Sequence, residues 1–272
     1  MRFLLEHPDP RGLDDLVRAA EAAHAGGLDG VLVTEWPALP GSLVSAAAVA
    51  ARVGEVLVAA EVEVGARHPV EIAEEAAVTD LAAGGRLILV ARAAPGPRER
   101  FVEALDVIRH ALAARPFRFE GEHWLVPANL PQNVHGQEER VRVTPAPAQP
   151  RLQIWGAGPA RGAALERALG HLADADDDPD ELAAAWRAAE MSPASIGAPR
   201  GRRERWAGAE QLVARLRHGR EAFGQDWACV AAPPEAAREI ASLVRPRVQL
   251  HRLPPGLEDF WSEARPWERG RR

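Results

Sequence analysis

Short apolar runs alternate along this chain with longer stretches whose apolar residues recur every three or four positions. The first pattern predicts buried strands, the second amphipathic helices. "RFLLE" (2–6) predicts a strand. Over 12–27 the spacing predicts a helix, with Leu13, Leu16, Val17 and Ala20 on one face and a stop at Gly26-Gly27. The alternation continues with strand "GVLVTE" (30–35), helix "GSLVSAAAVAARVG", strand "EVLVAAEVEVG" (55–65), and a helix from Pro69 to Gly84-Gly85. Strand "RLILVA" (86–91) and helix "PRERFVEALDVIRHALA" complete a fourth unit. Strands apolar on both faces and joined by helical crossovers predict a parallel sheet covered by helices.

Residues 116–150 break the rhythm, being rich in proline and polar residues. "FRFEGEHWLV" predicts a hairpin turning near Glu120-Gly121. The stretch is too short to bury a core of its own, so it reads as an insertion after the fourth βα unit. The rhythm resumes with "LQIWG", a helix over 160–170, "HLADA", helix "PDELAAAWRAA", helix "GAEQLVARLRHGREAFG", strand "DWACVAA" and helix "PEAAREIASLVRP". Residues 191–205 show no clear period; a faint strand within 192–198 brings the count to eight units. Eight βα units favour a single (β/α)8 TIM barrel over 1–250, with 251–272 as a tail, over a doubly wound sheet carrying an odd insertion.

The composition narrows the chemistry. With 272 residues, 47% of them hydrophobic, the chain can bury a full core. A formal charge of -6 gives no reason to expect nucleic acid. The arginine clusters "RGRRER" (200–205) and "RGRR" (269–272) read as solvated loop and tail. "MRFLLEHPDP" does not have the form of a secretory signal, and no window reaches the length of a membrane span, so a cytoplasmic protein is expected. Cys229, the one cysteine, cannot form an internal disulfide and reads as core. No Cys/His spacing suggests zinc. The sequence contains neither lysine nor tyrosine, which excludes Schiff-base catalysis, a P-loop lysine and a tyrosine general acid.

In "RLQIWGAGPARGAALERALG" the glycines Gly156, Gly158 and Gly162 follow a strand and open a helix. That is the context of a dinucleotide fingerprint, but also of a single phosphate held at a helix N-terminus by a late barrel loop, or of a plain tight turn. Pro159 removes one N–H that a pyrophosphate would use. In the acidic run 174–181, Asp178, Pro179 and Glu181 read as N-cap, first-turn proline and capping-box partner rather than as a calcium loop. In a barrel, chemistry belongs to the C-terminal strand ends, here His7, Glu35, Trp36, Glu61, Glu63, Arg92 and Gly156 to Gly158. A carboxylate on a buried strand is costly unless paired. Either strand three ends near residue 60, or its glutamates line a pocket with Arg92 as partner. His68, before Pro69, reads as a loop histidine.

"AAEAAHAGGLDGVLVTEW", "RHPVEIAEEAAVTDLAAGGRLILV", "RERFVEALDVIRHAL", "FRFEGEHW", "PAPAQPRLQIWGAG" and "ASLVRP" occur in the order seen in the luciferase-like flavin-dependent monooxygenases, which the chain resembles over nearly its whole length. The resemblance implies a barrel, usually dimeric, that binds reduced FMN or a deazaflavin at its C-terminal mouth and takes a small organic substrate. A separate reductase would supply the reduced FMN. It implies a flavin phosphate on Gly156, Ala157 and Gly158 with Arg92 as partner, and a non-proline cis peptide at Ala60-Glu61 behind the flavin ring. It also implies Glu35 or His7 as proton-transfer group and Trp36 as a pocket wall. The chain departs from the family in five places: Trp36 follows Glu35 where a histidine is frequent, "ARAAPG" replaces a glycine-rich turn, Glu61 stands where a small residue is usual, the phosphate loop lacks Ser/Thr hydroxyls, and the segment around strand seven is short. These departures leave open a degenerate barrel that has lost its flavin and acts as a binding or partner subunit. A Rossmann enzyme using NAD(P) is the third reading.

Overall fold

The computed structural model describes residues 1–249 apart from 114, 128–139, 159–161, 163–168 and 191–197. In chain order its first elements are β1 (Arg2–Glu6), α1 (Leu13–Gly26), β2 (Gly30–Val33), α2 (Ser42–Arg52), β3 (Leu57–Val64), α3 (Pro69–Ala82), β4 (Leu87–Ala93) and α4 (Arg98–Leu112). A hairpin of β5 (Phe119–Glu120) and β6 (Leu125–Val126) follows. Then come β7 (Gln153–Ala157), β8 (Gly170–Ala173), α5 (Pro179–Glu190), β9 (Arg200–Arg205), α6 (Ala209–Phe223) and β10 (Trp227–Ala231). The described chain closes with α7 (Ala236–Glu239), a π-helical stretch Ile240–Val244 and α8 (Arg245–Gln249). All strands but the hairpin pair close into one eight-stranded barrel, β1-β2-β3-β4-β7-β8-β9-β10, with β10 back on β1 and every pairing parallel. The fold is the (β/α)8 TIM barrel expected from the rhythm, and the sheet has no free edge for a Rossmann arrangement.

Alternation along the strands divides the core. Leu4, Leu32, Ala59, Ile88, Val90, Trp155, Leu172, Trp227 and Cys229 fill the barrel interior, and Cys229 is core as expected. Their neighbours, among them Phe3, Leu5, Val31, Val58 and Leu89, face the helices. The two interior indoles meet edge-on, ring centroids 4.8 Å apart at 76°. Gly170 on β8 makes room for them: a Cβ there would lie 2.1 Å from Cδ1 of Trp155.

Asp80, fully buried on α3, ties the end of the insertion to the barrel. It accepts hydrogen bonds from the backbone and side-chain amides of Gln149, at 2.8 and 2.7 Å, and from the Leu87 N–H at 3.3 Å. The hairpin turns where the sequence places it. Its tip is held by the Glu103 carboxylate, which accepts from the N–H groups of Glu122, His123 and Trp124. His68 is the N-cap of α3; its Nδ1 accepts from the Val70 N–H at 3.3 Å.

The largest correction concerns the seventh barrel strand. "RGRRER", expected as a solvated loop, is β9. The faint strand expected within 192–198 falls almost wholly outside the described residues, as do most of the 160–170 helix and the 251–272 tail. β9 has no apolar side chain, so hydropathy could not reveal it; it is a strand because its charges find partners on both faces. Arg202 and Glu204 point to the helix layer, where Glu204 accepts from Nε of Arg215 on α6 at 3.0 Å. Arg203 points into the mouth of the barrel and meets Glu6 and Glu61 there.

Candidate active site at the barrel mouth

Parallel strands place their carboxyl ends at one rim, and five charged side chains converge there: Glu6 (β1), Glu61 (β3), Arg92 (β4), Asp174 (just past β8) and Arg203 (β9). Each follows from strand alternation. Ala59 and Glu61 share the inner face of β3, as Val90 and Arg92 share that of β4, and each pair is apolar below and charged at the rim.

Arg92 uses both edges of its guanidinium. Nε and Nη2 donate to Glu61 at 3.0 and 3.2 Å; Nη1 and Nη2 donate to Asp174 at 3.1 and 2.8 Å. Arg203 Nη2 donates to Glu61 from the opposite side, while its Nη1 lies 3.7 Å from Glu6 and its Nε 3.8 Å from Asp174. Below them the Cys229 Sγ approaches Glu6 at 3.8 Å. The side chains of Glu6 and Glu61 are 13% and 12% exposed, so pairing, not solvent, has to carry their charge.

The electrostatics follow from this packing. Hydrogen bonding to Asp174, with Glu61 adding to it, holds the Arg92 guanidinium far above its ordinary value against the pull of burial. For Arg203 burial pulls down, and the carboxylates of Glu6 and Glu61 more than offset it. Burial drives Glu6 upward, only partly countered by Arg203 and reinforced by Glu61. Burial also pushes the Cys229 thiol well up, so it is a neutral, unreactive group.

Strand three does not end near residue 60, since β3 runs to Val64; of its two glutamates Glu61 pairs with Arg92, while Glu63 is exposed. Gly158 has φ 58°, and a Cβ there would lie 2.5 Å from Arg92 Nη1 and 3.3 Å from Asp174 Oδ2. The glycine expected to cradle a phosphate makes room for a guanidinium instead. Ala157 points into the barrel interior and Gly156 is buried within β7. Among the described residues the cis peptides precede Pro127 and Pro145, so the cis bond expected at Ala60-Glu61 is absent. The physical reason is the β3–β4 ladder, which runs unbroken from Val58 to Val64, with Ala60 packed toward the helices.

The remaining expected residues stand apart from the ion cluster. His7 is half-buried and its Nδ1 accepts from the Asp9 N–H at 3.2 Å, which shapes the loop after β1. Glu35 is exposed, and the half-buried Trp36 donates from Nε1 to Thr34 Oγ1 at 2.9 Å. In the acidic run, Asp178 caps α5 as expected, accepting from the Asp180 N–H at 2.8 Å, while Asp176 pairs with Arg205. Sequence reasoning missed Glu6, Asp174 and Arg203. Glu6 carried a signal, being a charge that ends an apolar strand; Arg203 carried none.

A cleft of about 480 Å3 opens beside the cluster, its wall including Glu6, Asp174, Asp176, Asp177, Arg203 and Arg205. A flavin mononucleotide separates ring from phosphate by a ribityl chain, so groups that grip its two ends cannot also grip each other. Here the residue expected under the ring, Glu61, and the expected phosphate partner, Arg92, are joined by two hydrogen bonds. The acidic excess of the cluster also disfavours an anionic reduced flavin. In this arrangement the residues do not fit a flavin.

The sequence profile of the family described as luciferase-like monooxygenase matches residues 3–234. No protein of curated function matches the chain. Among solved structures it is similar to monooxygenase RslO1 from Streptomyces bottropensis, at 18% identity and a TM-score of 0.69 over 90% of this chain and 99% of that one. It is similar also to the oxygenating constituent of 3,6-diketocamphane monooxygenase from Pseudomonas putida, in complex with FMN, at 16% identity and 0.70 over 91% and 98%. A third is the coenzyme F420 dependent tetrahydromethanopterin reductase from Methanopyrus kandleri, at 13% and 0.68 over 91% and 99%. At such identities the likenesses show the fold alone.

Proposed function

The chain belongs to the luciferase-like monooxygenase family and is by class a flavin-dependent oxidoreductase; from that premise we propose that it oxidises a small organic substrate, using FMN supplied in reduced form by a separate reductase. The observation that carries this reading is the family match across 3–234 on a closed barrel. A deazaflavin coenzyme is the alternative cofactor, supported by the likeness to the coenzyme F420 dependent reductase. We also infer a homodimer joined through α2 and α3, where Val44, Val78 and Leu81 are 53%, 52% and 45% exposed.

A second reading has its own support. The ion cluster standing where ring and phosphate would lie favours a barrel that has given up its flavin and serves as a binding or partner subunit. Absorbance titration of the purified protein with FMN and with a deazaflavin, each oxidised and reduced, separates the two. Saturable binding of either supports the oxidoreductase. Absence of binding at high micromolar concentration leaves the second reading.

A further inference from the structure

We infer that the protein has a second ligand site, at the end of the barrel opposite the mouth, and that it takes an organic anion: a carboxylate or phosphate monoester on an apolar body. The inference is independent of the cofactor reading above. α4 runs against the direction of the barrel strands, so its last turn lies at the level where β7 and β8 begin. There a cavity of about 330 Å3 opens between α4, the segment leading into β7, and Leu169 just before β8. Small-molecule sites span roughly 300–1,000 Å3. The cavity has an apolar floor. Leu112, Leu152, Ile154 and Leu169 keep 6–7% exposure, whereas Leu105 and Ile108, earlier on α4, are fully covered.

The rim is cationic. Arg109, Arg115 and Arg151 line the cavity against one carboxylate, Asp106, in a chain whose formal charge is -6. Arg109 lies 3.7 Å from Asp106 and, with His110, belongs to the last turn of α4, where cations complement the helix dipole. That account does not reach Arg115 and Arg151, which lie outside the helix and have no carboxylate partner among the described residues. The planar fork of arginine matches a carboxylate or phosphate through paired hydrogen bonds. The walls are held by the fold itself. Gln149, two residues before Arg151, donates from its side chain to Asp80 at 2.7 Å and to the Leu87 carbonyl at 2.8 Å. His110 stacks on Phe117, ring centroids 6.1 Å apart at 16°. Walls already fixed lose little freedom on binding. An inorganic anion would leave the apolar floor uncovered, and an uncharged hydrophobe would leave Arg115 and Arg151 without a partner. A molecule with both parts uses the whole cavity.

The test is isothermal titration calorimetry of the full chain with octanoate and with octyl phosphate. 1-Octanol serves as the probe without charge, acetate and inorganic phosphate as probes without a chain. Saturable binding of octanoate or octyl phosphate is expected, at least about tenfold tighter than that of the other three, because hydrogen bonds to charged groups add to apolar burial. Arg115→Gln combined with Arg151→Gln should weaken it by at least about tenfold. Two controls should leave it unchanged: Arg118→Gln, at a nearby arginine already paired with Glu120, and Arg205→Gln, in the cleft at the mouth. All four arginines are exposed, so the variants should fold, which circular dichroism checks. Failure of both amphiphiles to saturate the wild type would overturn the site, as would equal affinity for 1-octanol. Binding that survives the double substitution would place the anion elsewhere and overturn it too.

Discussion

Gly158→Ala tests the cluster without touching any of its charged groups. Two costs add. The residue has φ 58°, and an L side chain in that left-handed region costs about 1–2 kcal/mol. The new methyl would lie 2.5 Å from Arg92 Nη1, closer than contact allows, so the guanidinium must shift. It cannot do so freely, because Nη1 donates to Asp174 at 3.1 Å and the other edge is held by Glu61. Losing one charge-assisted hydrogen bond costs about 1.5–3 kcal/mol. The sum is about 2.5–5 kcal/mol, and at about 2–4 °C per kcal/mol for a chain of this size the midpoint falls by roughly 5–20 °C. Thermal melts followed by circular dichroism measure it. The steric share is isolated in an Arg92→Ala background, where Gly158→Ala should cost only the backbone strain of about 1–2 kcal/mol. Equal costs in the two backgrounds would refute the claim that this glycine exists to admit Arg92.

Gly170→Ala pushes a methyl to 2.1 Å from the Trp155 indole, which is held by Trp227 in a packed interior, and should cost about 1–3 kcal/mol in chemical denaturation; an unchanged midpoint would mean the indoles repack freely. Burial raises the Glu204 carboxyl above its ordinary 4.5, with Arg202 and Arg215 countering only in part. Between 4.5 and that raised value the folded state keeps a proton the unfolded chain has released, so stability falls as pH rises through the window. In Glu204→Gln that fall should shrink, as read from denaturation midpoints across pH, and a fall of undiminished size would assign it to other groups. Light scattering on a sizing column should find a dimer for the wild type and a monomer for Val78→Glu with Leu81→Glu; equal masses would refute the α2–α3 interface.

Much of the barrel was legible in one dimension because its strands and helices carry their own periodicity. β1 was located to the residue, and the helices over α1 to α4 to within a few positions, since each has an apolar face and a glycine or proline that ends or begins it. The hairpin at Phe119–Val126 was legible for the same local reason. β9 was not. "RGRRER" has the composition of a solvated loop, and only the positions of Glu6, Glu61, Asp174 and Arg215 make it a strand.

The site divides along the same line. Glu61 and Arg92 were nameable as partners because a carboxylate on a buried strand needs a cation and few were in reach. Gly158 was read as a phosphate cradle because a glycine after a strand signals close approach without saying what approaches. Local pattern determined the fold class, the order of βα units and the family, since these depend on burial and backbone preference residue by residue. The tertiary structure alone decided that charges from β1, β3, β4, β9 and the loop after β8 meet across one opening, because barrel closure brings together residues whose separation along the chain leaves no periodic trace.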